Sequence, residues 1–416
     1  MANIYVSEPA TGLRLIQPRN SAPDRIQITP MNAMDLTIVS GSRIVEVARL
    51  AFATPDVDFL CFGESDQPSP PAARQAAARA LADDDTRYPD VRGLPALRQA
   101  LAGYLSRLHL RPVDGSRIQV TASGMAAVSV AMAAVLRPGH RLVMHTPTWS
   151  NLASAARLRG ATVDEIDLDA RPEGGFILDL DRLDTMMGGA RAFVLNSPNN
   201  PTGWTATEAE LCAIREIVRR HGAWLIADEV YSRLVYDGRA AAPSMLDIAE
   251  PDDRIIVCNS FSKTWVMTGW RLGWLVVPEG TADRFAEIVE VAHSGVAPFV
   301  QRGGVAAIAD TETMKRFRAH CTGGREMASE ALAGLNRVRF QPPAGAFYAF
   351  LAVEGLHDSL DLAKKLVTRH GVAVAPGVAF GSAGEGWLRV CFAQSAGLME
   401  RAMQRLRDGI RAEMGA

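Results

Sequence analysis

One lysine stands out among the residues that could perform chemistry. The chain has 416 residues, and its only other lysines are Lys315, Lys364 and Lys365, although arginine is abundant. Lys263 follows the apolar run at residues 255–258, which is typical of a buried strand. Open α/β sheets bind ligands beyond the carboxyl ends of their strands. A partly desolvated amine at such a place can lose its proton and attack a carbonyl, so we interpret Lys263 as a nucleophile rather than a solvated loop lysine.

Two other strand ends could hold an anion. A Ser-Gly pair after the predicted strand 118–121 opens a helix, whose free N–H groups and dipole favour negative charge. An arginine eight residues beyond the lysine, with two serines nearby, could complete a phosphate site. Each signal alone is also typical of a helix cap or of a structural arginine. The residues of this candidate phosphate site are Ser123, Gly124, Ser260, Ser262 and Arg271.

The remaining strand ends suit a flat, charged ring. Asp228 follows the apolar strand 223–227, where a carboxylate is either paired with a cation or costly to bury. Trp149 could stack on a ring or fill a core, and Asn200 precedes a proline in a candidate cis peptide. Pyridoxal 5′-phosphate would use all of these groups, with its ring nitrogen at Asp228 and its aldehyde at Lys263. Its phenolic oxygen would then meet Asn200 and Tyr231.

Composition limits the class of protein. The length exceeds the roughly 250–300 residues at which single cores stop growing, so we expect two domains. A net charge of −2 argues against nucleic-acid binding, and five scattered cysteines without a CxxC pair indicate neither a disulfide framework nor a zinc site. Because neither a signal peptide nor a bilayer-spanning helix is apparent, we expect a cytoplasmic protein without a membrane partner.

The order of elements predicts how these residues are positioned. Helices and strands alternate from about residue 69, which indicates an α/β fold with a mostly parallel central sheet sandwiched by helices. Before them we predict a helix over residues 31–54, with Val45 on its apolar face, and a strand over residues 57–62. The expected division is an arm and part of a small α+β domain (1–65), a large cofactor-binding domain (66–305) and the rest of the small domain (306–416).

Three segments resemble the class I/II aminotransferases, which are fold-type I pyridoxal-phosphate enzymes. They are residues 199–203 (Asn-Asn-Pro-Thr-Gly), 228–231 (Asp-Glu-Val-Tyr) and 260–271, which contains Lys263 and its arginine. The resemblance covers nearly the whole chain in the family's order. It implies transfer of the amino group of an L-amino acid to a 2-oxo acid, by a ping-pong mechanism through a Schiff base on Lys263.

The resemblance also implies a role for each matching residue. Lys263 would shuttle a proton at the substrate, Asp228 would hold the ring nitrogen protonated, and Trp149 would stack on the ring. Tyr231 and Asn200 would bond the phenolic oxygen. The phosphate would be held by Ser123, Gly124, the backbone of Met125, Ser260 and Arg271. At position 125 many relatives have a hydroxyl-bearing or small residue, whereas this chain has Met125. The phosphate site therefore loses one side-chain hydrogen bond and keeps the backbone one.

Contacts to the substrate and to a second subunit follow from the same resemblance. Arg389 would pair bidentately with the substrate α-carboxylate, which Asn200 and the backbone of Gly63 would also contact. Tyr88 would reach the phosphate in the partner subunit, which implies a homodimer.

Several alternatives remain open from the sequence. The same fold and cofactor also serve lyases that eliminate sulfur groups, decarboxylases and racemases. A transcriptional regulator with an aminotransferase-like domain would carry a basic helix-turn-helix region, and the first 60 residues show no basic clustering. A non-enzymatic scaffold is disfavoured by the lysine. The amino donor and the 2-oxo acceptor are not specified.

Overall fold

The structure, a computed structural model, describes residues 41–171 and 174–415. Most of the predicted arm therefore lies outside the described residues. The helices are α1 (Arg43–Ala53), α2 (Pro71–Ala82), α3 (Pro95–His109), α4 (Gly124–Val135), α5 (Asn151–Arg157), α6 (Leu180–Met186), α7 (Glu208–Arg220), α8 (Met245–Ile248), α9 (Phe261–Thr264), α10 (Ala282–His293), α11 (Pro298–Ala309), α12 (Thr311–Leu332), α13 (Ser359–His370) and α14 (Ala396–Met414). The strands are β1 (Asp58–Phe59), β2 (Ile118–Thr121), β3 (Arg141–Thr146), β4 (Thr162–Asp167), β5 (Asp169–Ala170), β6 (Phe176–Ile177), β7 (Ala192–Asn196), β8 (Trp224–Asp228), β9 (Ile255–Ser260), β10 (Gly273–Val276), β11 (Val338–Arg339), β12 (Tyr348–Val353), β13 (Val372–Ala373), β14 (Ala375–Pro376) and β15 (Trp387–Cys391).

The central sheet has seven strands in the order β2-β10-β9-β8-β7-β3-β4. Its strands run parallel except β10, which is antiparallel to both of its neighbours. Successive side chains of β8 enter opposite cores, Leu225 and Ala227 on one face and Ile226 on the other. Helices α3 and α7 contribute to the first core, and α4 and α5 to the second. The predicted α/β sheet between helices is confirmed.

Strand register brings the functional strand ends together. Asn196 at the end of β7 pairs with Asp228 at the end of β8, and Asp228 pairs with Cys258 in β9. Parallel strands in this register end at one edge of the sheet, so the residues that follow them face a common space.

A second, antiparallel sheet has the order β11-β12-β15-β14 and its own hydrophobic core. Helix α1 packs on α13, and β1 pairs with β13 through Asp58 and Val372. The described residues before residue 65 thus pack with the carboxyl-terminal part of the chain. The division into domains at residues 65 and 305 stays a prediction.

Two elements before the central sheet differ from the prediction in the described residues. Helix α1 begins at Arg43, because Ser42 has an extended backbone (φ −70°, ψ 123°), and residues 31–40 lie outside the described part. Val45, expected on the apolar face, is 43% exposed. Strand β1 has two residues rather than six, since its ladder with β13 involves only Asp58 and Phe59. No described helix is long and apolar enough to cross a membrane.

Candidate active site

A cavity of about 360 Å³ lies at the carboxyl edge of the central sheet, next to the four-stranded sheet. It gathers residues that are far apart in the sequence. The predicted site residues that line it are Gly63, Gly124, Met125, Trp149, Asn200, Asp228, Tyr231, Ser260, Lys263, Arg271 and Arg389. Ser123 is buried directly before Gly124, whereas Tyr88 is 92% exposed and does not line the cavity.

Lys263 lies in α9, the single turn that follows β9. The turn begins where the hydroxyl of Ser260 accepts the backbone N–H of Ser262 at 3.0 Å. The Lys263 amine donates to the carbonyl oxygen of Gly63 at 2.5 Å. Burial lowers the pKa of this amine to about 8, and the positive charges of Arg389 and Arg271 act in the same direction. About one amine in ten is therefore neutral and nucleophilic at pH 7, and about half at pH 8.

Asp228 ends β8 and is only 3% exposed. Its carboxylate accepts the backbone N–H of Val230 at 3.4 Å, and the described residues provide no salt bridge to it. Burial raises its pKa to about 7, although the nearby charge of Lys263 acts in the opposite direction. The structural salt bridge considered from the sequence is thus not formed, and this carboxylate can accept an external N–H group.

The other end of the cavity carries hydrogen-bond donors. Gly124 is the first residue of α4, and a Cβ there would lie 3.0 Å from the Cβ of Ser260. Gly273 lets β10 approach this turn, because a Cβ on it would lie 2.5 Å from the carbonyl carbon of Ser123. Arg271 has a left-handed backbone (φ 53°) and an exposed side chain that donates to the carbonyl of Thr268. Backbone N–H groups, hydroxyls and a guanidinium thus converge as an anion site requires.

Arg389, in the middle of β15, is the buried cation of the cavity. It is 2% exposed and lies between two aromatic rings, 4.4 Å from the centroid of Tyr348 and 4.9 Å from that of Phe380. One guanidinium nitrogen donates to the Asn200 side-chain oxygen at 3.0 Å, another donates to the Cys61 carbonyl, and Nε has no partner among the described residues. The rings fix the plane of the guanidinium and leave it suited to a carboxylate.

Three polar residues of the site were missed in the sequence. The Tyr348 hydroxyl lies 2.6 Å from that of Tyr231. The side-chain oxygen of Asn196 accepts the backbone N–H of Asn200 at 2.9 Å. The backbone N–H of Asn196 donates to Nε2 of His145 at 3.0 Å. Burial lowers the pKa of His145 to about 3, which keeps the imidazole neutral and able to accept this bond. Asn196 ends β7 and Tyr348 begins β12, so a polar residue at the end of an apolar run was the signal that could have found them.

These groups fit pyridoxal phosphate. The donor cluster at Gly124 and Arg271 suits its phosphate, and a buried carboxylate without a cationic partner, Asp228, suits its protonated ring nitrogen. Trp149 and Val230 both line the same cavity, so an indole is available to pack against a flat ring. The amine of Lys263 suits its aldehyde.

Comparison with known proteins agrees with this geometry. The family model described as Aminotransferase class I and II matches residues 56–406. The chain belongs to the class I and II aminotransferases. Members of this family depend in general on pyridoxal phosphate and act on amino acids and 2-oxo acids.

Individual relatives span nearly the whole chain. An aspartate aminotransferase of Pyrococcus horikoshii is 29% identical over 381 residues, which cover 90% of this chain and 96% of that protein. The structure of an aspartate aminotransferase from Thermotoga maritima aligns with a TM-score of 0.82 at 29% identity, covering 90% of this chain and 98% of that one. The structure of YbdL from Escherichia coli, a protein with a methionine aminotransferase function, aligns with a TM-score of 0.82 at 25% identity, covering 89% of this chain and 97% of that one. The aminotransferase therefore shares its fold with relatives that differ in substrate.

Proposed function

We propose that this aminotransferase binds pyridoxal phosphate covalently through Lys263 and exchanges amino groups between an L-amino acid and a 2-oxo acid in two half-reactions. The observation that carries the proposal is the position of the Lys263 amine. It lines the same cavity as the buried carboxylate of Asp228 and the buried guanidinium of Arg389. The pKa of the amine, lowered to about 8, makes it both a nucleophile and a proton acceptor near neutral pH.

The remaining residues of the cavity hold and orient the reactants. Gly124, the backbone of Met125, Ser123, Ser260 and Arg271 bind the phosphate. Asp228 pairs with the protonated ring nitrogen, Trp149 packs against the ring, and Tyr231 and Asn200 bond the phenolic oxygen. When bound, the cofactor supplies an electron-withdrawing ring that stabilises negative charge on the substrate α carbon.

Arg389 binds the substrate α-carboxylate. Its guanidinium lines the cavity beside Asn200 and the Cys61 carbonyl, so we expect a carboxylate to pair with it bidentately. This places the α carbon near the Lys263 amine, which donates to the Gly63 carbonyl at 2.5 Å. With the cofactor bound, the Lys263 amine would accept the α proton of the substrate and donate it again, which is the acid–base work that amino-group exchange requires.

The aminotransferase acts as a homodimer in this proposal. Tyr88 is 92% exposed and lies outside the cavity of its own chain, so its hydroxyl is free to reach the phosphate in the second subunit. A monomer in sedimentation equilibrium, with full activity, would contradict this part of the proposal.

Absorption spectroscopy tests the reaction directly. The protein loaded with pyridoxal phosphate is mixed with single L-amino acids and then with a 2-oxo acid. We expect a visible band that a donor abolishes and a 2-oxo acid restores. Release of ammonia, thiol or carbon dioxide, or loss of optical activity, would indicate elimination, decarboxylation or racemisation instead.

Lys263→Ala is the matched variant for this test. We expect it to keep the circular dichroism spectrum of the wild type and to lose turnover by at least about 10²–10⁴-fold, the usual contribution of an acid–base group. Full activity in this variant would contradict the proposal.

A further inference from the structure

The side chain of Asn196 lies between two parts of the active site that were assigned separately. Asn196 ends β7, is 1% exposed and lines the same cavity as Asp228 and Asn200. The proposed function gives it no role. Its hydrogen bonds, however, reach both of these neighbours.

One end of the Asn196 amide is bonded to the segment that carries Asn200. The oxygen Oδ1 accepts the backbone N–H of Asn200 at 2.9 Å and an N–H of the Asn199 side chain at 3.3 Å. Two donors thus fix the position of this oxygen, and the shorter bond holds the backbone of Asn200 beside the end of β7.

The other end of the amide is bonded to the backbone of Asp228. The nitrogen Nδ2 of Asn196 donates to the Asp228 carbonyl oxygen at 3.1 Å. Asn196 and Asp228 are also the last pair in the ladder between β7 and β8, and the backbone N–H of Ser197 donates to the same carbonyl at 3.2 Å. The side chain therefore reinforces the pairing of the two strands where both end, next to the Asp228 carboxylate.

Asn200 continues this series of hydrogen bonds to the second sheet. Its side-chain oxygen accepts from Arg389 at 3.0 Å. Because the guanidinium uses this oxygen, the Nδ2 end of the Asn200 amide is the one that can donate to a phenolic oxygen. Three hydrogen bonds thus join Arg389 in β15 to Asp228 in β8, by way of Asn200 and Asn196.

We propose that Asn196 is a positioning residue that fixes Asn200 relative to Asp228, the residues assigned to the phenolic oxygen and to the ring nitrogen. It acts through these two neighbours, and through Asn200 it also aligns Arg389 with the cofactor. This inference rests on the proposed function, because the assignments of Asn200 and Asp228 define the two edges of the ring.

An amide is the group that this position requires. One side chain must present an acceptor to the N–H of Asn200 and a donor to the carbonyl of Asp228. A leucine of similar size offers neither, and an ionised aspartate would place a second oxygen against the Asp228 carbonyl. Since both partners are buried, leaving either of them without its hydrogen bond is costly.

The backbone of Asn196 is held independently of its side chain. Nε2 of His145 accepts the backbone N–H of Asn196 at 3.0 Å, and the ladder with β8 includes the same residue. Removal of the side chain therefore leaves these backbone contacts in place, so the two side-chain links can be tested by themselves.

Asn196→Ala removes both links. In the loaded protein a hydrogen bond to the phenolic oxygen stabilises the deprotonated form of the chromophore. A displaced Asn200 should therefore raise the pH midpoint of the visible band by about 0.5–1 unit, the effect of one hydrogen bond. A displaced Asp228 should raise the Kd of pyridoxal phosphate about tenfold. Spectrophotometric titration measures the midpoint, and fluorescence titration of the cofactor-free protein measures Kd.

The pH titration compares proteins that share the other ionisable groups of the cavity. His145 stays neutral throughout, because burial lowers its pKa to about 3. The charged and phenolic groups that line the cavity and are retained in both proteins are Asp228, Tyr231, Lys263, Arg271, Tyr348 and Arg389.

Double-mutant cycles distinguish positioning from a general loss of stability. In an Asn200→Ala background, Asn196→Ala should no longer raise the midpoint, because the group through which it acts is absent. In an Asp228→Asn background it should change Kd by less than about twofold. Additive effects in either cycle would overturn the inference, since Asn196 would then not act through both residues.

Gln119→Ala is the matched control for the loss of a buried amide. Gln119 is 0% exposed in β2, donates to the carbonyl of Ala282 at 3.2 Å and does not line the cavity. This variant should unfold at a lower urea concentration without a change in the visible band or in Kd. If Asn196→Ala does not fold, Asn196→Ser, which keeps a hydroxyl, is measured in the same way and should show smaller shifts in the same directions.

A folded Asn196→Ala protein with the band midpoint and the Kd of the wild type would overturn the inference and leave the proposed function intact. A wild-type protein that forms no visible band with pyridoxal phosphate would instead contradict the proposed function.

Discussion

The hydroxyl oxygens of Tyr231 and Tyr348 lie 2.6 Å apart, inside the cavity and at the contact between the two sheets. Tyr231 follows β8 of the central sheet, and Tyr348 begins β12 of the four-stranded sheet. Burial raises the pKa of both phenols, so each remains protonated and one donates to the other. The Tyr348 ring also lies 4.4 Å from the Arg389 guanidinium carbon, which links this pair to the carboxylate site.

Tyr348→Phe removes this hydrogen bond and keeps the ring over Arg389. Because the Tyr231 hydroxyl is then buried without that partner, we expect the free energy of unfolding to fall by about 1–3 kcal/mol. We also expect kcat to decrease, since Tyr231 is less firmly held. A double-mutant cycle with Tyr231→Phe, followed by urea denaturation and by steady-state rates, measures the coupling. Purely additive effects would contradict an energetic link between the two hydroxyls.

The lowered pKa of Lys263 predicts how cofactor capture depends on pH. Only the neutral amine can attack the aldehyde of pyridoxal phosphate, and its fraction increases as the pH rises through about 8. The rate at which cofactor-free protein is loaded should therefore rise with pH and level off above this value. A solvated lysine, with a pKa of about 10.4, would show the same rise about two pH units higher. Rapid-mixing absorption measurements distinguish the two profiles, and Lys263→Ala should show no covalent capture at any pH.

Arg389→Ala removes the proposed carboxylate ligand. We expect KM for the amino acid to increase about tenfold to a hundredfold, because a charge-assisted bidentate pair is lost, while the Kd of the cofactor changes little. Arg389→Lys keeps the charge and loses the bidentate geometry. Its KM for the amino acid should therefore lie between those of the wild type and of Arg389→Ala. Steady-state kinetics and equilibrium cofactor titration separate the effects. An unchanged KM for the amino acid in Arg389→Ala would exclude Arg389 from this role.

Asp228→Asn should stabilise the cofactor-free protein and impair the loaded enzyme. Burial raises the Asp228 pKa from 3.8 to about 7, so the folded state holds this proton more tightly than the unfolded state. The resulting loss of stability is absent below about pH 4 and complete above pH 7, where it amounts to at most about 4 kcal/mol. The gain in stability of Asp228→Asn over the wild type should therefore increase across this window.

Urea denaturation of both cofactor-free proteins at several pH values measures this gain. Asp283→Asn, at a carboxylate whose side chain is 92% exposed, is the control and should show no such dependence. A gain that does not vary with pH would show that Asp228 is not the unpaired carboxylate described above.

The sequence alone was sufficient to predict the sheet and most of the candidate site. Apolar runs of four to six residues define the strands, and in a parallel sheet their ends lie at one edge, so Asp228, Asn200 and Lys263 could be expected to meet. This inference needs no knowledge of side-chain packing, because the direction of the strands already determines which ends are neighbours.

Other parts of the site depend on contacts between distant segments. Tyr348 and Asn196 lie in strands whose pattern is apolar, and their polar roles follow from partners at Tyr231 and Asn200. The exposure of Val45 depends on how α1 packs on α13. The periodicity of the sequence could not predict these contacts. It shows which side of a helix or strand is buried, but not which other segment packs against that side.

The pKa values of Asp228 and Lys263 likewise follow from the tertiary structure. The residue types and positions were evident in the sequence, but the direction of each shift depends on burial and on which charges are close. Local patterns thus determined the order of the elements in the central sheet and which polar residues follow its strands. Long-range packing decided which side chains meet, how dry the cavity is and which charges remain free for substrates, because these properties depend on distances in space rather than along the chain.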